Sequence, residues 1–351
     1  MKSQTKSESD TRFMGLAIRE AMRSLGRTVP NPAVGAVLVK NGRIIAKGFH
    51  RAAGLPHAEI EAMKKAGFNP RTPNLISDAI KGCTLYVTLE PCSSQGRTPP
   101  CTSSIIASGI KRVVYGAKDP DKRHRGRASK ILKKNGIKVT EGILASQCAD
   151  LNKYWNHLAR TGMPWVVAKA AVSLDGRIDS APLRRWITSN SSRREAMRLR
   201  ASVQAILVGG GTVRTDDPSL TIRGIRTEKN HPQPWRVVWS RSGKVPPYSK
   251  ILNDCHRDRT LIFTGMPLRK VLKQLAKMGV SIVLIEGGGR TLAEAFRCNV
   301  VNEVRIFIAP VVQGGNVAVI SGNIIPTFLK NVTYTKIGSD VMVSGMVIEP
   351  S

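Results

Sequence analysis

Residues 54–59 read GLPHAE and residues 84–101 read TLYVTLEPCSSQGRTPPC. Pro56 opens a helical stretch, His57 to Ala66, which stops at Gly67. Thr84 to Leu89 is an apolar, β-branched run, the pattern of a buried strand, and it ends at Pro91-Cys92. Cys101 follows Pro99-Pro100 and precedes a second helical stretch, so it falls at a helix start. One imidazole and two thiols therefore come from a strand end and two helix starts, the geometry of a metal site carried on an α/β framework.

The chemistry of that donor set is specific. His57, Cys92 and Cys101 fill three positions of a zinc tetrahedron and leave the fourth for water, which separates a catalytic centre from a closed structural one. One zinc ion per chain is expected. Glu59 is the nearby carboxyl able to carry a proton to a departing amine. Residues two apart do not share a helix face, so His57 and Glu59 converge only if His57 sits in the first turn. The dipole of its helix favours thiolate at Cys101.

Working outward, apolar residues recur at helical spacing from Thr11 to Leu25, and Pro30-Asn31-Pro32 then breaks the pattern. Ala33 to Val39 and Ile44 to Gly48 flank Asn41-Gly42, a hairpin with a type I′ turn. Helix and strand alternate to about Val139, which argues for an α/β sandwich. The pattern changes after Cys148, and the domain boundary is placed at residue 150. In the second half, Ala205 to Val208 runs into Gly209-Gly210-Gly211, and Ile282 to Ile285 into Glu286 and Gly287-Gly288-Gly289. Strands that end in glycines let a ligand approach the backbone closely, although neither run is a GxGxxG fingerprint.

Length and composition bound the rest. The chain has 351 residues, enough for two or three domains, with 41% hydrophobic and 23% charged residues, a globular composition. Fifty-five basic residues oppose 24 acidic ones, giving a net charge of +31. The excess is even: residues 1–150 carry 26 basic and 11 acidic, residues 151–351 carry 29 and 13. That distribution is not a nucleic-acid-binding arm and suits sites for phosphorylated substrates. No run approaches the 18 or so apolar residues of a membrane span, and the polar opening MKSQTKSESD is no secretory signal, so a cytoplasmic protein is expected. A nucleic-acid-binding protein with structural zinc would need a fourth ligand, and none is evident near His57, Cys92 and Cys101. Zinc nucleobase deaminases carry H-x-E followed by P-C-x-x-C. Here eight residues, Ser93 to Pro100, replace the two between the cysteines, which disfavours a polynucleotide substrate.

Taken together, Asn31 to Val37, Gly54 to Glu59 and Thr88 to Cys101 resemble the bifunctional riboflavin-biosynthesis deaminase/reductase family. The second half is similar through Ser173 to Arg177, Trp186-Ile187-Thr188, Leu199-Arg200-Ala201, Asp216-Asp217-Pro218, Glu286-Gly287-Gly288 and Ile308-Ala309-Pro310. The resemblance implies a cytidine-deaminase-like α/β/α sandwich over 1–150, followed by a dihydrofolate-reductase-like α/β domain over 151–351. It implies two reactions on a phosphorylated pyrimidine, zinc-dependent removal of the 2-amino group and then NADPH-dependent reduction of ribosyl to ribityl, by a homo-oligomer, dimer or tetramer. A deaminase whose second domain only binds is the alternative. Carried onto this chain, the NADPH positions are Val172, Trp186, Thr212, Asp216, Arg241, Gly288, Gly289, Arg290, Thr291, Leu292, Ala293 and Glu294. The substrate positions are Arg184, Arg200, Leu220, Arg223 and Glu286, with Asn31 in the deaminase half. The arginines would grip phosphate as guanidinium forks. The chain departs from the family at Ser94, where a histidine is usual, at Pro182 to Arg185, at Met197 and at Ser240-Arg241. Arg184 is expected to take over phosphate binding from a missing serine.

Overall fold

The computed structural model describes residues 6–348 except 27, 29, 71, 73–77, 96–98, 123, 179–185 and 228–230. The chain divides into two units, Met1–Thr161 and Gly162–Ser351.

In the first unit the order is α1 (Lys6–Met22), β1 (Gly35–Lys40), β2 (Arg43–Phe49), α2 (Ala58–Lys65), β3 (Thr84–Leu89), α3 (Cys101–Ala107), β4 (Arg112–Ala117), α4 (Arg127–Lys134), β5 (Lys138–Glu141), α5 (Ala145–Asp150) and α6 (Lys153–Thr161). The sheet runs β2-β1-β3-β4-β5, with β1 antiparallel to both neighbours and β3, β4 and β5 parallel. Asn41 and Gly42 both have positive φ, 50° and 73°, as a type I′ hairpin requires.

Two glycines set the layers. A Cβ on Gly35 would strike the α1 backbone at Ala17 and Ala21, and one on Gly48 the α2 backbone at Ala58 and Ala62. Gly35 pairs with Phe49, whereas Gly48 pairs with Ala36, one residue along β1. Successive residues of a strand face opposite sides, so α1 and α2 lie on opposite faces of the sheet. The expected α/β/α sandwich follows, with Val37, Leu38, Leu85, Val87, Val113 and Val114 buried inside it.

The first unit extends to Thr161 rather than to the expected residue 150. Helix α5 packs on β4, where Cys148 lies so near Gly116 that a Cβ there would clash, and α6 packs on α5. Between them, buried Asn152 accepts the Ala33 N–H through Oδ1 (2.7 Å) and donates through Nδ2 to the Ala33 carbonyl (2.8 Å). These contacts hold the segment after residue 150 to the deaminase-like unit.

The second unit contains β6 (Trp165–Val172), α7 (Asn190–Ala201), β7 (Ala205–Gly209), α8 (Gly210–Asp216), β8 (Trp235–Ser240), α9 (Lys250–Asn253), β9 (Thr260–Thr264), α10 (Leu268–Lys277), β10 (Ile282–Ile285), α11 (Gly289–Arg297), β11 (Glu303–Ile308), β12 (Leu329–Ile337) and β13 (Asp340–Val347). Its sheet runs β12-β13-β11-β6-β10-β7-β8-β9, parallel from β11 to β9, with β13 and β12 added antiparallel at one edge. Parallel strands buried on both faces read as continuous apolar runs, which is how β7 and β10 read.

Candidate functional site

His57 is the N-cap of α2, with extended backbone (φ −69°, ψ 164°), so its side chain leaves the helix axis while Glu59 occupies the first turn. This breaks the helical phase that would separate two residues at i and i+2, and so resolves the geometric condition raised by the sequence. Cys92 follows the C-terminal end of β3, and Cys101 is the first residue of α3. His57 Nδ1 lies 3.2 Å from Cys101 Sγ and 3.5 Å from Cys92 Sγ, and the three candidate ligand atoms lie within 4.8 Å of one another. The Cys101 N–H donates to Cys92 Sγ (3.2 Å), which fixes that sulfur over the start of α3.

The electrostatics of the cluster suit a cation. The hydrogen bond from Cys101, opposed by burial, draws Cys92 far down, to about 4, while the same bond and burial push Cys101 well up. A cation among the three atoms would favour the thiolate form of both sulfurs. His57, bonded to Cys92 and despite burial, is pushed up to about 9. Soft thiolates with one imidazole are a zinc donor set. Glu59 is 3% exposed, and its burial raises the carboxyl, which favours the proton-holding form.

His57 and Cys92 line a cleft of about 340 Å³ whose walls also include Asn31, Ser94, Asp119 and His124. Asn31 was expected there. His50 was not: it is buried, its Nδ1 lies 3.0 Å from the Pro56 carbonyl and its Nε2 3.0 Å from Asn31 Nδ2. With Nδ1–H donating to Pro56 and Nε2 accepting from Asn31, one neutral imidazole ties the Asn31 amide to the residue before His57, and burial lowers its proton affinity accordingly. A histidine flanked by Phe49 and Arg51 at a strand end carries no pattern that separates this role from an ordinary polar residue.

In the second unit, four of the positions carried over from the family lie near the C-terminal ends of neighbouring parallel strands, where α/β folds bind ligands. Val172 ends β6, Glu286 follows β10, Thr212 lies in the first turn of α8 after β7, and Arg241 follows β8. The Gly288 N–H donates to Thr212 Oγ1 (3.3 Å), joining the two glycine runs. A Cβ on Gly287 would strike Thr291, and one on Gly209 would strike Thr291 Oγ1, so the backbone is kept bare there. Gly288 caps α11; Leu292 and Ala293, deeper in that helix, are buried and face its packing rather than a cleft, whereas Arg290 is exposed and Glu294 half-buried. Asp216 is exposed at the end of α8, and Trp186, 48% exposed, stacks under Arg193 beside a separate cavity with Asp340. Arg184 lies outside the described residues.

Arg200 differs from expectation in how its fork is used. Its Nε and Nη2 donate to the two Glu286 oxygens (2.8 Å each) and its Nη1 to the Thr221 carbonyl (3.0 Å). All three nitrogens are committed within the protein, so Arg200 orients Glu286, whereas Arg223 is exposed and bonded through Nη1 to Ser219. Leu220 is buried with φ 48°, a left-handed conformation that bends the chain beside Arg223. Lys169, absent from the sequence-derived set, projects from the middle of β6 with Nζ 4.0 Å from Glu286 Oε2. Burial lowers Lys169, with Glu286 opposing; burial raises Glu286, but Arg200 and Lys169 outweigh it and bring it down to about 2. The signal was a lysine inside the apolar run 165–172.

Comparison with known proteins decides the family. Residues 7–117 match the cytidine and deoxycytidylate deaminase zinc-binding region, and residues 164–343 the RibD C-terminal domain. The chain is 37% identical over 333 residues to riboflavin biosynthesis protein RibD of Aquifex aeolicus, covering 89% of this chain and 90% of the relative. The chain belongs to the RibD family. The Escherichia coli RibD is 35% identical, covering 88% and 89% of the two chains. Acinetobacter baumannii RibD superposes with a TM-score of 0.84 at 32% identity, over 98% of this chain and all of that one. A Thermotoga maritima diaminohydroxyphosphoribosylaminopyrimidine deaminase/5-amino-6-(5-phosphoribosylamino)uracil reductase superposes at 0.79 and 33% identity, over 97% and 99%. As a member of that family, the chain is a bifunctional enzyme with a zinc-binding deaminase domain and a reductase domain.

Proposed function

We propose that the first unit hydrolyses the 2-amino group of 2,5-diamino-6-(5-phosphoribosylamino)pyrimidin-4-one, and that the second reduces the ribosyl group of the product to ribityl with NADPH. The convergence of His57, Cys92 and Cys101 beside buried Glu59, with His57 and Cys92 lining an open cleft, carries this reading. Zinc, when bound by those three side chains, supplies Lewis acidity and a water nucleophile at neutral pH. Glu59 takes the proton from the attacking water and delivers it to the amine, which leaves as ammonia. Asn31, held by His50, orients the substrate in the cleft.

In the reductase unit the two glycine runs, joined by the Gly288 N–H to Thr212 Oγ1, lie at the C-terminal ends of neighbouring parallel strands, the place where such sheets take a dinucleotide, and NADPH would supply the hydride. Glu286, fixed by Arg200 and paired with Lys169, accepts hydrogen bonds from the sugar, and Arg223 meets the phosphate. Incubating the pure enzyme with the diaminopyrimidine phosphate tests both halves. Ammonia without NADPH, and NADPH oxidation with a ribityl product identified by mass, are the expected outcomes. Ammonia with no NADPH consumption would leave the second unit a binding module.

The same reading includes self-association. Strand β12 is a sheet edge whose residues are exposed between its two ends, and Phe328 and Tyr334 are 73% and 75% exposed. Such an edge is ordinarily covered, and a second copy would cover it. Sedimentation should give a dimer or tetramer. Among the described residues no helix is long and apolar enough to cross a membrane.

A further inference from the structure

The wall of the deaminase cleft includes Ser94, Asp119 and His124, none of which takes part in the steps assigned to His57, Glu59, Cys92 and Cys101. Beyond β4 the chain passes through Asp119 and returns to α4 at Arg127, and Glu90 pins this loop at both ends. The Glu90 carboxylate, 4% exposed and two residues before Cys92, accepts the N–H groups of Asp119 (3.2 Å), Gly126 (3.0 Å) and Ala128 (3.2 Å). Within the loop the His124 N–H donates to the Asp121 carbonyl (2.9 Å), and the Arg127 N–H to the His124 carbonyl (3.0 Å). The ring of His124 is thereby carried to the lining of the cleft that also holds His57 and Cys92.

Its orientation is set by Ser94, whose Oγ lies 3.4 Å from His124 Nδ1. When the serine hydroxyl donates to Nδ1, the ring proton of a neutral imidazole sits on Nε2, which has no hydrogen-bond partner among the described residues. The cleft wall thus offers an N–H donor. The carboxylate on the same wall, Asp119, accepts the Asp121 N–H through Oδ1 (2.8 Å). The loop also carries Lys122, Arg125 and Arg127, all exposed, so an anion reaching His124 enters a positively charged region. Ser94 is a departure from the family pattern, and a larger side chain there would meet the ring that His124 places against it.

We propose that His124, oriented by Ser94, is a substrate-contact residue that binds the phosphate ester of the deaminase substrate and sets the enzyme's preference for the phosphorylated pyrimidine. This rests on the deaminase reading and deepens it. Zinc-loaded full-length enzyme is assayed for ammonia release with 2,5-diamino-6-(5-phosphoribosylamino)pyrimidin-4-one and with its dephosphorylated riboside. In His124→Ala the KM for the phosphate ester should rise about tenfold while kcat stays within about twofold, and the KM for the riboside should not change. His124→Gln, which keeps a donor at similar reach, should recover most of the loss. Ser94→Ala, which leaves the ring intact but unoriented, should give a smaller rise confined to the ester, so the test survives a poorly folded alanine variant. An unchanged KM for the ester, or equal rises for ester and riboside, would overturn the assignment while leaving the deaminase reading intact. No ammonia from the native enzyme with either substrate would overturn both.

Discussion

Glu59 and Glu286 are both carboxyls withdrawn from solvent, yet their surroundings drive them apart. Glu59 has thiols and a helix start around it, and burial raises its carboxyl above the ordinary range; Glu286 has Arg200 and Lys169, which hold its carboxyl well below that range. One is thus suited to moving a proton and the other to accepting hydrogen bonds. Glu59→Gln should lower ammonia release by about 10²–10⁴-fold, the usual worth of a general acid–base, while zinc content stays at one per chain and NADPH oxidation with deaminated substrate survives. Loss of zinc in that variant would make Glu59 a ligand. The sequence made His57, Glu59, Cys92 and Cys101 legible because their spacing encodes chemistry. His50 and His124 were not legible, because each acts through a neighbour distant in sequence, Asn31 and Ser94, whereas Lys169 left a signal as a lysine inside an apolar strand.

At the scale of elements, the centre depends on how closely α2 approaches the sheet. Gly48 of β2 faces the α2 backbone at Ala58 and Ala62, within a turn of His57 and Glu59. Gly48→Ala must push the helix away, because the obstacle is backbone and cannot rotate aside. The expected cost is about 1–3 kcal/mol of stability, as for overpacking in general, together with weaker zinc retention against a chelator. Gly42→Ala is no control, since φ is positive there. Gly15, where a Cβ meets nothing within 4 Å and φ is not positive, is a suitable one: Gly15→Ala should keep its zinc. The hairpin, β3 and the glycine-ended strands were readable from local pattern. Strand β12 was not, because its residues are mostly polar and exposed and its partner β13 alone gives it a place.

Across the whole molecule, charge and acid sensitivity come from different groups. The excess of basic residues is spread over both halves, whereas a specific acid-sensitive term resides in the reductase unit. Glu286 is held at about 2 against an ordinary value of 4.5. A carboxyl depressed in the folded state contributes stability that is complete above its unfolded value and is lost as the pH falls toward the folded one. Resistance of the second unit to urea should therefore decline between about pH 4.5 and 2, and Glu286→Gln should flatten that decline. A slope that is identical in the variant would assign the acid sensitivity elsewhere. Both domains and their order were legible in the sequence because each has its own run of strands. Their border was not, because α6 has the composition of a connector and is tied to the first unit by a side chain whose partner lies more than a hundred residues earlier.

That tie has a practical meaning for anyone who wishes to produce the two catalysts separately. Asn152 closes a loop around the start of β1 by satisfying both polar groups of the Ala33 peptide, two residues from Asn31 in the cleft. A deaminase fragment ended at Asp150 would leave that amide and carbonyl stranded in an apolar interior, at about 1–3 kcal/mol for each orphaned group. One carried through Thr161 retains its own clasp.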